Sequence, residues 1–425
     1  MFKKSALILA VLGLAVSGCS PGQSTSPAPG SQASPVSTAS PGPTSTPTSP
    51  PPTSLVIWVP PALAPDPGNP AGALFADRIQ AFERAHPGIG VDVRVKDPSG
   101  PAGLLETLSA AQVAAPQVLP DLIALDPVAL NTAVLKHLVF PLGETTSQAF
   151  SSDWYDYAKA SAQAEGGLYG LPFAADALGF AFRTDRFDPA PTSWTNLVDA
   201  AHLFVFPAND PQAVFTLAEY QSLHEGMSQP TGRPGLDTSA LATVLDFYAS
   251  VDRTGYLPPL AAQMTSLDDS WAALNSRRVD AAAAMLSNFL GSTNRSNLSF
   301  IPLPTQGGKG ISYAYTWSWA IASETPARQD LAKLAIAFFT EPSFIGPWTE
   351  ALGLMPSTSS ALQTWSSAGD QAIVARLAAA AQPAPGAEVL ATFGPPFNLA
   401  VENVLTGSMG AGEAASQAAQ AIQNP

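Results

Sequence analysis

Residues 166–201 read GGLYGLPFAADALGFAFRTDRFDPAPTSWTNLVDAA. From Leu168 to Phe182 the run is uncharged apart from Asp176, and its core Gly179-Phe180-Ala181-Phe182 has the character of a buried strand. Pro189 and Pro191 break it. The following TSWTNLVDAAHLF predicts a helix with Thr192 or Ser193 at its N-cap, where a hydroxyl can accept from a first-turn N–H. A buried strand feeding a capped helix is a building unit of α/β layers.

The same alternation appears upstream. Leu55-Val56-Ile57-Trp58-Val59 is a continuous apolar run, as expected of a strand covered on both faces. Leu74, Phe75, Ile79 and Phe82 recur at helical spacing, Pro87 closes that helix, and Ile89, Val91, Val93 and Val95 alternate in a second strand. The helical stretch LLETLSAAQVAA then leads to a third strand over residues 121–126, DLIALD. Strand, helix, strand, helix, strand predicts a parallel sheet, which holds ligands at the carboxyl ends of its strands. Those ends fall at Trp58 to Pro61 and at Asp126.

Downstream, SALATVLDFYASV, WAALNSRRVDAAAAML, LAKLAIAFFT and FNLAVENVLTG predict helices, and EAASQAAQAIQ a weakly amphipathic one. SFIPLPT and WSWAIAS predict strands. No internal repeat is visible. About 370 residues from Ser54 onward exceed what one hydrophobic core covers, so two lobes are expected.

The only cysteine, Cys19, follows Lys3, Lys4, an apolar run and Val16-Ser17-Gly18. Charged start, short apolar core and small residues predict an export signal over residues 1–18, too short to span a bilayer. The arrangement resembles the lipobox of bacterial lipoproteins, which implies acylation of Cys19 and an anchor on the outer face of the cytoplasmic membrane. The alternative is a thiol removed with an ordinary signal peptide. Residues 19–53 carry no charge and no aromatic residue and predict a disordered spacer, with a polyproline II contour approaching about 100 Å. Loss of residues 1–18 leaves 17 basic against 33 acidic residues. A field of that sign repels nucleic acid and anionic lipid. With no second cysteine, no intramolecular disulfide forms.

Several segments in this order resemble the family-1 extracellular solute-binding proteins, the maltose-binding-protein-like receptors of ABC importers. LVIWV with FADRIQAFERAHPGIGVDV is similar to their first strand, first helix and second strand; PDLIALD with LVFPLGE is similar to the third strand and the turn after it. The stretch quoted first resembles their Tyr-Gly-x-Pro segment, crossing strand and Thr-x-Trp helix start, and IPLPTQGG, WAIAS, LAKLAIAFF and FNLAVENVLTG continue the likeness to about residue 423. Two departures concern the ligand: Phe182-Arg183-Thr184 stands where relatives often have Tyr-Asn-Lys, and Arg277-Arg278 where they often have Gly-Lys before an Ala-Met pair.

The resemblance implies an α/β, two-lobe periplasmic-binding-protein fold of type II, each lobe a mainly parallel sheet flanked by helices. Lobe 1 would hold about 54–176 and 300–342, and lobe 2 about 179–298 and 344–425. Hinge crossings would fall near Asp176 to Gly179, Asn297 to Pro302 and Thr340 to Phe344. It further implies a monomeric receptor that closes on a small solute, a mono- or oligosaccharide first of all, and delivers it to ABC permease subunits, with no catalysis and no cofactor.

A sugar needs hydrogen-bond donors and acceptors together with flat apolar faces. Asp176 lies in the crossing segment where relatives carry an acidic ligand contact; otherwise it is a hinge carboxylate. Trp58 faces either core or cleft, and Asp126 meets a ligand or caps the helix begun by Pro127. Tyr313, Tyr315, Trp317 and Trp319 alternate, so they share one face of a strand, of which Tyr313 and Tyr315 are the cleft candidates. Trp271, Asn288, Phe397 and Asn398 fall where relatives line the second lobe. Arg183 clamps a carboxylate or pairs with Asp185.

Three other functions compete. A glycoside hydrolase needs two carboxylates held across the scissile bond, and no recognisable motif pairs them here. His86, His137, His202 and His224 lack metal-ligand spacing, and hydrolase and phosphate-loop motifs are absent. A polyamine or organic-anion receptor keeps the fold with a different ligand, and a surface scaffold keeps the fold without one.

Overall fold

The computed structural model describes residues 53–143, 153–164, 166–224 and 235–423. Strand β1 (Ser54–Val59) pairs in parallel with β2 (Gly90–Val95) along its whole length, and on its other edge with β3 (Leu122–Leu125). Its side chains are buried on both faces. Leu55, Ile57 and Val59 join a core with Phe75, Phe82, Trp319, Phe339 and Trp348, while Trp58 joins another with Leu104, Leu108 and Leu130. The helix Pro70–Ala85 that supplies Phe75 starts where the Asn69 side chain accepts from Gly72 N, 2.7 Å away. Asp121, fully buried beside β3, accepts from Val56 N and pairs with Arg328 at 2.9 Å, tying β1 to the helix Pro326–Phe339.

A small hairpin of β4 (Gln163–Ala164) and β5 (Gly167–Leu168) precedes the long strand β6 (Gly170–Arg183). The remaining strands are β7 (Phe204–Val205), β8 (Ala281–Met285), β9 (Leu298–Ile301), β10 (Ser312–Ile321), β11 (Met355–Pro356) and β12 (Ala381–Pro383). The sheet runs β2-β1-β3-β10-β6-β8-β7, with β9 and β11 also on β6 and β12 on β10. Parallel pairs lie toward both ends, whereas β6 and β10 run antiparallel to one another and to most neighbours. Gly179 on β6 admits no side chain: a Cβ there would stand 2.4 Å from the Phe300 ring and 2.7 Å from Ile301 O.

Among the described residues, passages between the cores lie in β6, in β10 and at residues 354–355. In β6, Leu171, Phe173 and Ala174 pack with Phe75, whereas Ala175 and Ala177 to Phe182 pack with Phe204, Tyr248 and Phe397. The second passage lies in β10, between Ala314 and Trp319, and the third between Leu354 and Met355. The crossings expected near 297–302 and 340–344 therefore fall later in the chain. β9 still pairs with β6 at Phe180 to Arg183, and Phe344, Ile345 and Trp348 still pack around Phe75, so the lobe boundaries move with them.

Two local expectations also change. In WAALNSRRVDAAAAML the helix Leu267–Asn275 stops at Asn275; Arg277, at φ 61°, and Arg278 then donate back to Leu274 and Ala273, and Ala281–Met285 is strand β8. Pairing with β6 and β7 outweighs the helix preference of four fully buried alanines. A register shift between Trp317 and Ser318 interrupts the alternation in β10, so Trp319 packs against Phe173 in one core and Tyr313 in the other. The expected export signal, Cys19 and nearly all of the expected spacer lie outside the described residues.

Candidate functional site

Where β6 passes between the cores, Asp176 is opposite Tyr315 of β10. Its carboxylate accepts from Ala177 N at 2.8 Å, Ser287 N at 3.0 Å and the Ser287 hydroxyl at 2.5 Å. Ser287 lies in the first turn of the helix Leu286–Gly291, directly after β8, so strand pairing delivers the donors to the acid. Burial pushes the Asp176 carboxyl up to about 6 despite these hydrogen bonds, and the charge of Asp268 adds to the rise.

Asp268 stands in the first turn of the helix Leu267–Asn275 and accepts from Asn288 Nδ2 at 3.1 Å. That helix is started by a capping box of Ser266 and Asp269 and carries the half-buried Trp271. The Asn288 Oδ1 atom is shielded and has no donor. On the other side of Asp176, burial raises the Tyr315 phenol above its usual range, helped by the charges of Asp210 and Asp176, so it stays protonated. Asp210 is fixed by accepting from Gln212 N at 2.9 Å and Val214 N at 3.0 Å at the start of the helix Val214–Leu223.

Of the residues singled out in the sequence, the fold thus gathers Asp176, Tyr315 and Asn288, and puts Trp271 on the helix that carries Asp268. It places the others elsewhere. Trp58 is 2% exposed, packed beneath Leu104 and Leu108 with Lys96 over its ring. Asp126 caps the helix Pro127–Leu135, accepting from Val128 N and Ala129 N. Tyr313 is fully buried and donates to Gln221 Oε1 at 2.5 Å. Phe397 is fully buried against Tyr220 and Phe393 in the middle of the helix Ala387–Leu405, not at a helix start, and Asn398 follows it with a shielded Oδ1. Arg183 donates to Leu274 O at 3.0 Å rather than pairing with Asp185.

Ser287, Asp268 and Asp210 were not identified from the sequence. The Ser-Leu-Asp-Asp run at 266–269 signals a helix start, but only β8 and β6 bring that start to Asp176. Among the described residues no three His, Cys, Asp or Glu side chains are grouped as metal ligands. Around Asp176 thus stand the Ser287 and Asn288 end of one helix, the Asp268 end of another and the neutral Tyr315 phenol, a set rich in hydrogen-bond acceptors.

The model of the bacterial extracellular solute-binding protein family matches residues 66–343. Among solved structures, the maltodextrin-binding protein MalE1 of L. casei BL23 aligns with TM-score 0.70 at 15% identity, over 87% of this chain and 98% of its own. The sugar-binding protein MalE of Xanthomonas citri aligns with TM-score 0.69 at 18% identity, over 87% and 96%. The GacH receptor of Streptomyces glaucescens GLA.O aligns with TM-score 0.65 at 19% identity, over 87% and 98%. These likenesses show the two-lobe, type II binding-protein fold. No curated protein sequence matches the chain.

Proposed function

Because the chain belongs to the bacterial extracellular solute-binding protein family, we propose that it captures an oligosaccharide against the Asp176 wall and hands it to an ABC permease. The observation that carries this reading is Asp176 itself. A carboxylate held half-buried by Ser287, with no described cation beside it, pays in stability for a charge that suits a ligand rich in hydroxyl donors. Solved proteins of this fold described as binding maltose, maltotriose or maltotetraose support the carbohydrate class. An organic anion would instead meet the charges of Asp176, Asp210 and Asp268. The wall acts by binding and orientation, and hinge closure about β6, β10 and the 354–355 passage would signal occupancy.

A thermal-shift screen of the purified protein against oligosaccharides tests the class. A ligand at 100 times its Kd adds about 2.7 kcal/mol, a shift of several degrees, and silence across the sugars would overturn it. With the selected sugar, Asp176→Ala is expected to lower affinity roughly 10- to 150-fold, the range for losing a hydrogen bond to a charged group, while unfolding stays cooperative. Unchanged calorimetric titration would remove Asp176 from the site.

The receptor is further proposed to act as a monomer, tethered through acylated Cys19 and the spacer that follows it. Mass spectrometry of the membrane fraction is expected to find a mature N-terminus at Cys19 carrying acyl chains. A protein recovered only in the medium, without lipid, would exclude the tether.

A further inference from the structure

We propose that the lobe built around Phe204 and Tyr248 carries an oxyanion site apart from Asp176, which holds a phosphate group between Arg183 and Arg277. Three chain segments meet at the far end of β6. Arg183 closes that strand, Arg277 lies in the turn between the helix Leu267–Asn275 and β8, and Asn294 to Asn297 lead into β9. Main-chain hydrogen bonds fix all three: Arg183 N donates to Asp280 O, Thr184 N to Asn297 O, Arg277 N to Leu274 O and Leu298 N to Arg295 O. Between the segments lies a narrow cavity of about 20 Å³, lined by Arg183, Asn275, Arg277, Asn294, Ser296 and Asn297. Arg183 follows Asp176 on β6 by about 23 Å of extended strand, so the cavity lies outside the site described above. Arg183 and Arg277 also belong to the two stretches in which the sequence departs from the family it resembles.

The positive charge of this cavity is not compensated. No acid lines it, and among the described residues no carboxylate pairs with Arg183 or Arg277. The neighbouring charges are matched elsewhere: Asp280 faces Arg186 at 3.7 Å and His202 at 3.9 Å, and Asp370 holds Arg295 through two hydrogen bonds. Asp185, exposed in the turn after β6, pairs with neither arginine. A cationic cavity is the exception in a chain with 33 acidic residues against 19 basic.

The hydrogen-bond inventory agrees. Arg183 donates to Leu274 O at 3.0 Å, which anchors the guanidinium and leaves its other N–H groups free. Among the described residues the side chains of Asn275, Arg277, Asn294, Ser296 and Asn297 have no hydrogen-bond partner. Two guanidiniums, three amides and a hydroxyl together call for acceptor oxygens. A carboxylate presents two oxygens in one plane and chloride a single centre, whereas donors arriving from three segments suit the tetrahedral oxygens of a phosphate. The cavity has room for about one oxygen atom, so the phosphorus and whatever it carries stay at the mouth. A free phosphate ion and the phosphate of a lipid headgroup share this chemistry.

Titration calorimetry at constant ionic strength, with inorganic phosphate, glycerol 3-phosphate, acetate and chloride, tests the site. Phosphate or its ester is expected to bind tenfold or more tighter than acetate and chloride. Arg277 is exposed and its side chain has no partner to lose, so Arg277→Gln is expected to fold normally and to weaken phosphate about tenfold. Arg278→Gln removes the same charge one position on, beside Asp269 and outside the cavity, and is expected to leave binding unchanged. Asp176→Ala is likewise expected to leave it unchanged, which keeps the result independent of the saccharide reading. Inorganic phosphate binding tighter than the ester would assign the free ion. The ester binding as well or better would assign a phosphomonoester, and sedimentation of the Cys19→Ser chain with phosphatidylcholine vesicles only when they contain phosphatidic acid would place it on a lipid. Equal losses in Arg277→Gln and Arg278→Gln, acetate or chloride binding as tightly as phosphate, or no saturable binding of phosphate and its ester would overturn the proposal.

Discussion

Replacing Phe75 with alanine is expected to destabilise the protein by about 3–5 kcal/mol, the range for deleting a buried aromatic ring. Phe75 is fully buried where rings from four other positions meet: Trp348 at 5.1 Å, Phe339 at 5.7 Å, Trp319 at 6.3 Å and Phe344 at 6.4 Å between centroids. These come from β10, from the helix Pro326–Phe339 and from the helix Pro342–Leu352, so closing the space of the lost ring would require a strand and two helices to shift together. The denaturant midpoint should fall with little change in slope. A loss below about 1 kcal/mol would mean that the cavity collapses and that this cluster is not the packing centre assigned to it.

The second large effect concerns Glu219, which is 1% exposed. It accepts from Trp194 Nε1 at 2.9 Å, and its other oxygen has no partner. Burial pushes its carboxyl from 4.5 to about 8, with only the Trp194 hydrogen bond opposing. The folded state therefore holds a proton that the unfolded state releases between those pH values, so native stability falls as pH rises through that window. The slope is about 1.4 kcal/mol per pH unit. Glu219→Gln keeps the shape of the protonated acid and removes the titration. The variant is expected to match the native protein near pH 4.5 and to exceed it by about 3 kcal/mol at pH 7. Denaturant unfolding at several pH values checks this, and parallel pH profiles for the two proteins would show that the buried acid costs nothing.

Phe75 and Glu219 differ in how far the sequence announces them. Phe75 lies on the apolar stripe Leu74, Phe75, Ile79, Phe82, and 3.6-residue periodicity is enough to direct it inward. Nothing around Glu219 distinguishes it from a surface acid. Only the packing of Trp194 and Tyr248 over the helix Val214–Leu223 buries it. The same contrast separates Phe397, expected to line a cleft but placed in the core by its apolar ring, from Ser287, an ordinary serine that a strand end carries to Asp176.

By itself the sequence determined the alternation of buried strands and capped helices, the succession β1, β2, β3, a helix cap at Thr192 or Ser193, and Asp176 as the lone acid of an apolar strand. These are local properties, set by side-chain periodicity and by which residues can satisfy a helix end. The tertiary structure decided where the chain passes between cores, that four alanines form β8 rather than a helix, and which helix starts face Asp176. Those features depend on partners far apart in the chain, as Asp176 and Ser287 are at 111 residues. A local pattern carries no term for the pairing energy that joins them.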